Sequence, residues 1–269
     1  MGSLGPSGEL TNKLIAEGKV GLFDIPLEAI RKADGSIGST AERQRRQITQ
    51  MRLNEEWVDP TLADMMQSVP YPLHFVDFET CAPTVPRYAG MRPFETIAFQ
   101  WSCHTIQEPG AAVTHTDWLQ EEDHLPNADF ALALREQLGD EGTMLVWSDH
   151  ERTVLQTIRQ QLEETDSPTE GLIDWLDHLT AKGPSARILD LHKLAAKYYY
   201  HPRMGGKATV KSVCEAVWQQ SEALRNRYPE FRNGTGPIQS PYRSLPPLEI
   251  NDVSVAVRNG TGPSWPICT

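Results

Sequence analysis

Apolar and polar positions alternate along LHFVDFE at residues 73–79, again along FETIAFQWSCHTI ending near residue 106, and again along VTHTDWL. A period of two predicts three strands. The turn-rich segments CAPTVPRYAG and QEPG separate them, which predicts an antiparallel meander. The period then changes. Phe130, Leu134 and Leu138 recur every fourth residue and predict a helix, Met144–Trp147 is an unbroken apolar run that predicts a buried strand, and a helical pattern runs from about His150 to Leu162. Leu172, Leu176 and Leu179 mark another helix, and Leu191, Leu194, Ala195 and Tyr198 a further one, with a short strand at Arg187–Leu189 between them.

Three strands followed by helices alternating with strands predict an α/β fold: an antiparallel meander followed by βα units, forming one mixed sheet flanked by helices. Among familiar architectures this is the RNase H-like arrangement. Residues 1–70 read as a helical lead-in, with segments around Leu10–Val20, Pro26–Lys32 and Ala41–Arg52 and no closed core of their own. Residues 71–218 carry the α/β pattern. Residues 219–269 are rich in Pro, Gly, Asn and Ser, and RNGTGP occurs twice, at Arg232–Pro237 and Arg258–Pro263, as two similar turns.

A chain of 269 residues with 39% hydrophobic and 23% charged residues is long enough for one or two packed domains. No apolar run approaches the roughly 18 residues that span a bilayer, and the first residues lack a secretory signal pattern, so a cytoplasmic protein without a membrane partner is expected. Cys81, Cys103, Cys214 and Cys268 are widely spaced, which suits reduced, mostly core thiols. The formal net charge of -11 argues against general polyanion binding and confines any nucleic-acid contact to a local patch. Arg43, Arg45, Arg46 and Arg52 could touch phosphate, but a solvated helix face is the reading adopted.

The sharpest chemical feature is Asp77 and Glu79 inside the strand FVDFET. Alternation sends both carboxylates to one face and Val76 and Phe78 to the other. Neighbouring like charges repel, and a hard divalent cation relieves that repulsion. The competing reading is that the strand ends there and both acids sit in solvent. A second feature is WSDHERTVL. Glu151 precedes Leu155, Ile158 and Leu162 by four, seven and eleven residues, on the core-facing stripe of its helix. Ser148 and Glu151 also form an S-x-x-E capping box, which would satisfy the helix start without a metal; Asp149 is an alternative ligand or an N-cap.

The third feature is YYYHPRMGGKATVK. Its glycines precede a helical pattern, so backbone amides, Lys207 and Lys211 could present a phosphate-binding surface, with tyrosines to stack on bases or, for Tyr198 at least, to pack in the core. A nucleotide-binding P-loop is excluded because position 201 is histidine where that loop needs glycine. No G-x-S-x-G elbow is present, and His74, His104 and His115 match no metal-ligand spacing.

Taken together, HFVDFET, PTVPRYAGMRPFETIAFQWSCH, VWSDHERTVL and YYYHPRMGGKATVKSV, over about residues 70–218, resemble a bacterial domain-of-unknown-function family. That family is placed in the DnaQ-like (DEDD) 3′–5′ exonuclease superfamily and is usually found downstream of a Cas4-like nuclease module. The resemblance implies an RNase H-like fold, two Mg²⁺ or Mn²⁺ ions, single-stranded nucleic acid as partner and substrate, and residues 1–70 as the tail of a Cas4-like module. It carries the bridging metal ligand onto Asp77, a ligand that also orients water onto Glu79, and a ligand of the second ion onto Glu151. It implies nucleic-acid contacts at His201, Arg203, Lys207 and Lys211. The family's last acid, within a Tyr-Cys-x-x-Asp-Thr pattern, has no counterpart: no Asp or Glu follows Asp252, no Tyr follows Tyr242 and no His follows His201. Asp252 is a poor substitute, and Asp190 reads better as a strand-end acid that starts a helix. The expectation is a two-metal exonuclease of weak or no activity, or alternatively an inactive nucleic-acid-binding or assembly module of a larger defence or repair protein.

Overall fold

The computed structural model describes residues 9–32, 34–164, 171–231, 240–244, 248–250 and 253–255. In chain order its first elements are α1 (Glu9–Ala16), α2 (Ser39–Leu53), β1 (Trp57–Val58) and α3 (Leu62–Gln67). Then come β2 (Leu73–Cys81), β3 (Ile97–Ile106), β4 (Thr114–Leu119), α4 (Asn127–Leu138), β5 (Thr143–Val146), α5 (His150–Glu164), α6 (Leu172–Thr180) and β6 (Ile188–Asp190). The chain continues with α7 (Leu191–Tyr198), β7 (Tyr199–Tyr200), α8 (Val210–Gln220), α9 (Glu222–Arg227), α10 (Pro241–Ser244), β8 (Leu248–Ile250) and β9 (Val253–Val255). The two RNGTGP copies and Asp252 lie outside the described residues.

Contacts divide the chain into two compact units, one of residues 65–191 and 246–269, the other of residues 1–64 and 192–245. The first holds a five-stranded mixed sheet in the order β4-β3-β2-β5-β6. β2, β3 and β4 pair antiparallel, whereas β5 and β6 run parallel to β2. Side-chain alternation gives this sheet two distinct faces. Val76 and Phe78 of β2, with Met144 and Val146 of β5 and Ile188 of β6, pack against Phe130, Leu134, Leu155, Ile158 and Leu176 of the helices in one buried cluster. Phe78 and Phe130 meet edge to face at 4.8 Å. On the opposite face Leu73 and Leu145 join Val69, with Met66, Phe75 and Leu189 packed around them, and cover only the beginning of β2.

Short polar ties set the register. Thr143 donates its amide to Pro72 O at 2.9 Å and its hydroxyl to Pro70 O at 2.8 Å. Gly142, at φ +78°, lies so close to the same strand that a Cβ would meet Pro72 O at 2.3 Å, so only glycine fits. The buried Asn127 at the start of α4 accepts from the Ala98 amide at 2.8 Å and donates to Thr96 O at 2.9 Å, binding α4 to β3.

The second unit differs from expectation in two respects. The lead-in does have a core, a small cluster of Leu14, Ile25, Ile30 and Ile48. Its arginines are also not a plain solvated face. Arg46 stacks 3.4 Å over the Trp57 ring and donates to Lys197 O at 2.7 Å, Arg45 donates to Leu27 O at 3.0 Å and Arg43 to Gly206 O at 3.3 Å. The physical reason is pairing across a long stretch of sequence: β1 and β7 form an antiparallel ladder, Trp57 opposite Tyr200 and Val58 opposite Tyr199, which gives the cations carbonyls and rings to meet. Within YYY, Tyr199 and Tyr200 are buried and Tyr198 only partly so.

Candidate functional site

β2 does not end at its acids. It continues to Cys81, with Asp77 exposed and Glu79 half-buried on the face opposite Val76 and Phe78. One register shift follows directly, between Glu79 and Thr80. β2 is where the sheet changes from antiparallel to parallel neighbours, and the crevice at the carboxyl ends of strands around such a point is where open α/β sheets bind ligands. Phe75 pairs with Leu145 and Val146 with Asp190, so Asp77, the start of α5 and Asp190 all lie toward that end.

Glu151 is in the first turn of α5, where β5 has just ended, and is buried at 5% exposure. Ser148 Oγ accepts from the His150 amide at 3.1 Å rather than from the Glu151 amide that the expected capping box would use, because α5 begins at His150 and Ser148 stands one residue before the cap position. Glu151 Oε2 is buried and has no hydrogen-bond partner among the described residues. Burial above all, then the charges of Asp77, Asp190 and Asp149, push the Glu151 carboxyl up to about 7, while its own backbone amide pulls the other way. Asp77 is also raised above its usual range. It is open to solvent as a residue, yet the protein around its carboxyl group is the larger cause and Glu79 the next, opposed by the Phe78 amide and His150.

The next residue carries the opposite charge, and its terminal nitrogens are hydrogen-bonded although its Nε is not. Arg152 is buried, and its guanidinium donates to Thr180 O, to Ala181 O at 3.0 Å and to Ile188 O at 3.2 Å, with Asp149 3.7 Å away. It thereby caps the end of α6 and ties α5 to β6, which holds Glu151 at the strand ends. Neither Arg152 nor the charge of Asp190 on Glu151 is evident from sequence alone. An arginine beside a core-stripe glutamate was the available signal for the first.

The structure thus brings Asp77, Glu79 and Glu151 into one electrostatic neighbourhood with Asp149 and Asp190. They approach from different sides: Asp190 shares the side of Val146 and Ile188, whereas Asp77 and Glu79 project from the other. Among the described residues, no group of three or more His, Cys, Asp or Glu side chains is arranged to hold a metal ion. Asp252 lies outside those residues.

The other residues singled out belong to the second unit. His201 is buried, and its Nδ1 accepts from the Arg203 amide at 3.1 Å, capping the turn Pro202–Met204. Arg203, Lys207 and Lys211 are exposed. The glycines do not open α8 directly: Gly205 and Gly206 make a left-handed turn, and Thr209 caps the helix, accepting from the Ser212 amide at 3.2 Å. Lys211 Nζ stands 5.9 Å over the Tyr242 ring.

The described residues make a mixed α/β protein, a five-stranded sheet flanked by helices. Residues 74–209, just over half of the chain, match the domain of unknown function DUF2779, and the chain belongs to that family. No curated protein and no solved structure matches it. The matched stretch contains every candidate site residue except Lys211. No helix among the described residues is long and apolar enough to cross a membrane.

Proposed function

We propose that this chain is a metal-dependent phosphodiesterase of the DEDD 3′–5′ exonuclease type, with an RNase H-like sheet, acting on single-stranded nucleic acid. The observation that carries the reading is the orphaned oxygen of Glu151, a carboxylate held inside the protein at the strand ends with its neighbours Asp77, Asp149 and Asp190 raising the cost of its charge. A buried anion in that state calls for a cation. Hard carboxylate oxygens suit Mg²⁺ or Mn²⁺, which are commonly held by one or two carboxylates and keep several waters. The strand order, with three antiparallel strands and two parallel ones, supports the RNase H-like assignment.

One such ion would be held by Asp77 and Glu151, rather than a closed pair of ions by a full ligand set. Bound there, the ion would act as a Lewis acid on a phosphoryl oxygen. Glu79, on the same face as Asp77, orients the attacking water, and Arg152 keeps Glu151 in place. The lack of a gathered group of three ligands favours weak binding of a second ion and low activity. The same observation favours a second reading: an inactive nucleic-acid-binding or assembly module, contacting backbone phosphate through Arg203, Lys207 and Lys211, with a Cas4-like module as its neighbour.

Calorimetric titration of Mn²⁺ into the protein and into Asp77→Ala, followed by degradation of a labelled single strand, tests the reading. Binding and cleavage that are both lost in the variant support it. Cleavage at the wild-type rate in Asp77→Ala overturns it, and salt-dependent strand binding without any Mn²⁺ binding selects the inactive module.

A further inference from the structure

On the antiparallel half of the sheet, register places a second set of polar side chains beside Asp77. Ser102 of β3 lies directly opposite Asp77, and Asp117 of β4 lies directly opposite Ser102. Directly opposed residues share a face, with Cβ atoms about 4.5–5.5 Å apart. Ser102 Oγ is 3.3 Å from His115 Nε2, and His115 Nδ1 is 4.0 Å from Asp117. The His115 ring lies beside that of His104, its cross-strand partner, at 4.4 Å between ring centroids. His104 is itself buried, and its Nε2 has no partner among the described residues.

The hydroxyl and the imidazole are within hydrogen-bond reach of one another on the face that carries Asp77, with the Asp117 carboxylate 4.0 Å from the ring, so a proton can pass between imidazole and hydroxyl beside the acid cluster. We propose that Ser102, His115 and Asp117 are a proton relay that protonates the leaving oxygen in the phosphodiester cleavage; the inference rests on the nuclease reading above. In the step, the water oxygen bonds to phosphorus and its proton passes to a carboxylate of the acid cluster. The bond from phosphorus to the leaving sugar oxygen breaks, and Ser102 Oγ gives its proton to that oxygen. The protonated His115 returns a proton from Nε2 to Ser102 Oγ, and the neutral ring regains one from solvent. Asp117, 4.0 Å from His115 Nδ1, is beyond hydrogen-bond reach and acts on the ring only through its charge. Ser102 touches the reacting atom, whereas His115 and Asp117 act through it.

Leaving-group dependence tests it. With Mn²⁺ present, a labelled single-stranded oligonucleotide has an alkoxide leaving group that needs a proton, whereas thymidine 5′-monophosphate p-nitrophenyl ester has a phenolate that does not. Ser102→Ala and His115→Asn should each slow the oligonucleotide about a hundredfold and leave the ester rate unchanged. Because the two act as a unit, the double variant should be no slower than either single one. Asp117→Asn should slow the oligonucleotide about tenfold. Mn²⁺ titration and equilibrium strand binding of each variant should match the parent, which separates a relay from a general structural effect. Equal losses on both substrates, or no loss on the oligonucleotide, overturn the relay while leaving the nuclease reading intact. A parent protein inactive on both substrates overturns the nuclease reading itself, and the relay with it. Ser102→Ala removes one exposed-side hydroxyl, so the test stands even if His115→Asn fails to fold.

Discussion

The two faces of β2 are built on opposite rules. On the helix-covered face Val76 and Phe78 enter one continuous apolar cluster with α4, α5 and α6. On the other face the apolar cover reaches only Leu73 and Phe75, and beyond it the same strand presents Asp77 and Glu79 next to Ser102, His115 and Asp117. One face is closed by volume, the other left open to chemistry. Adjacent residues on α5 differ in degree: the Arg152 terminal nitrogens meet three backbone carbonyls although its Nε has no hydrogen-bond partner, and Glu151 keeps a bare buried oxygen. Stability is concentrated on the covered face, and acidic side chains lie toward the ends of the parallel strands.

The largest expected effect is therefore on the closed face. Phe130 is 0% exposed and touches both Phe78 and Trp118 with its ring, so Phe130→Ala should cost about 3–5 kcal/mol in urea unfolding. A loss below about 1 kcal/mol would break the comparison, because it would mean that this face is not one packed unit. Next in size is Arg152→Met, which keeps most of the side-chain volume but strips the donor from the Thr180, Ala181 and Ile188 carbonyls. A cost of about 2–4 kcal/mol is expected in the same measurement, and it should come with loss of Mn²⁺ binding as Glu151 loses its anchor.

How legible each face is from sequence follows from the range of the interactions that build it. Strands and helices of the covered face announce themselves within ten residues, as Phe130, Leu134 and Leu138 do, and the mixed α/β arrangement follows from their order. The Asp77 and Glu79 pair is equally local, because alternation alone sends both to one face. Glu151 is legible as a core-stripe acid, but whether its carboxylate is used by the capping box or left bare depends on Arg152, Asp190 and the end of α6, and no local period records those. The small cluster of Leu14, Ile25, Ile30 and Ile48, and the stacking of Arg46 on Trp57, escape a local reading for the same reason. They depend on β1 meeting β7 about 140 residues later in the chain. Ser102, His115 and Asp117 look like ordinary strand residues until register aligns them.

Smaller effects sharpen the open face. The Glu151 carboxyl ionises near the ordinary glutamate value of 4.5 when unfolded and is pushed up to about 7 when folded. Above pH 7 both states are ionised and the folded state bears the full cost of the buried charge. Below pH 4.5 both are protonated and the cost vanishes. Stability of the metal-free protein should thus fall as pH rises between these limits, by up to about 3 kcal/mol. Glu151→Gln should abolish that fall and stabilise the protein at pH 8 by about 1–3 kcal/mol, read as a higher melting temperature. A pH-independent difference between the two proteins would show that the Glu151 charge is compensated after all.

Asp77→Asn should have the smallest effect on stability and still be decisive for function. Its carboxyl is raised in the same direction as that of Glu151, by surrounding protein and then by Glu79, so removing the charge relieves repulsion. Because Asp77 stands open to water, screening limits the gain, and the change should stay within about 1 kcal/mol of zero. Mn²⁺ binding should nevertheless disappear from the calorimetric trace, since the ion loses its ligand on the open face. A variant that unfolds by several kcal/mol would mean that Asp77 is a structural residue like Arg152, and the contrast between the two faces would then end one residue pair earlier, at Phe75.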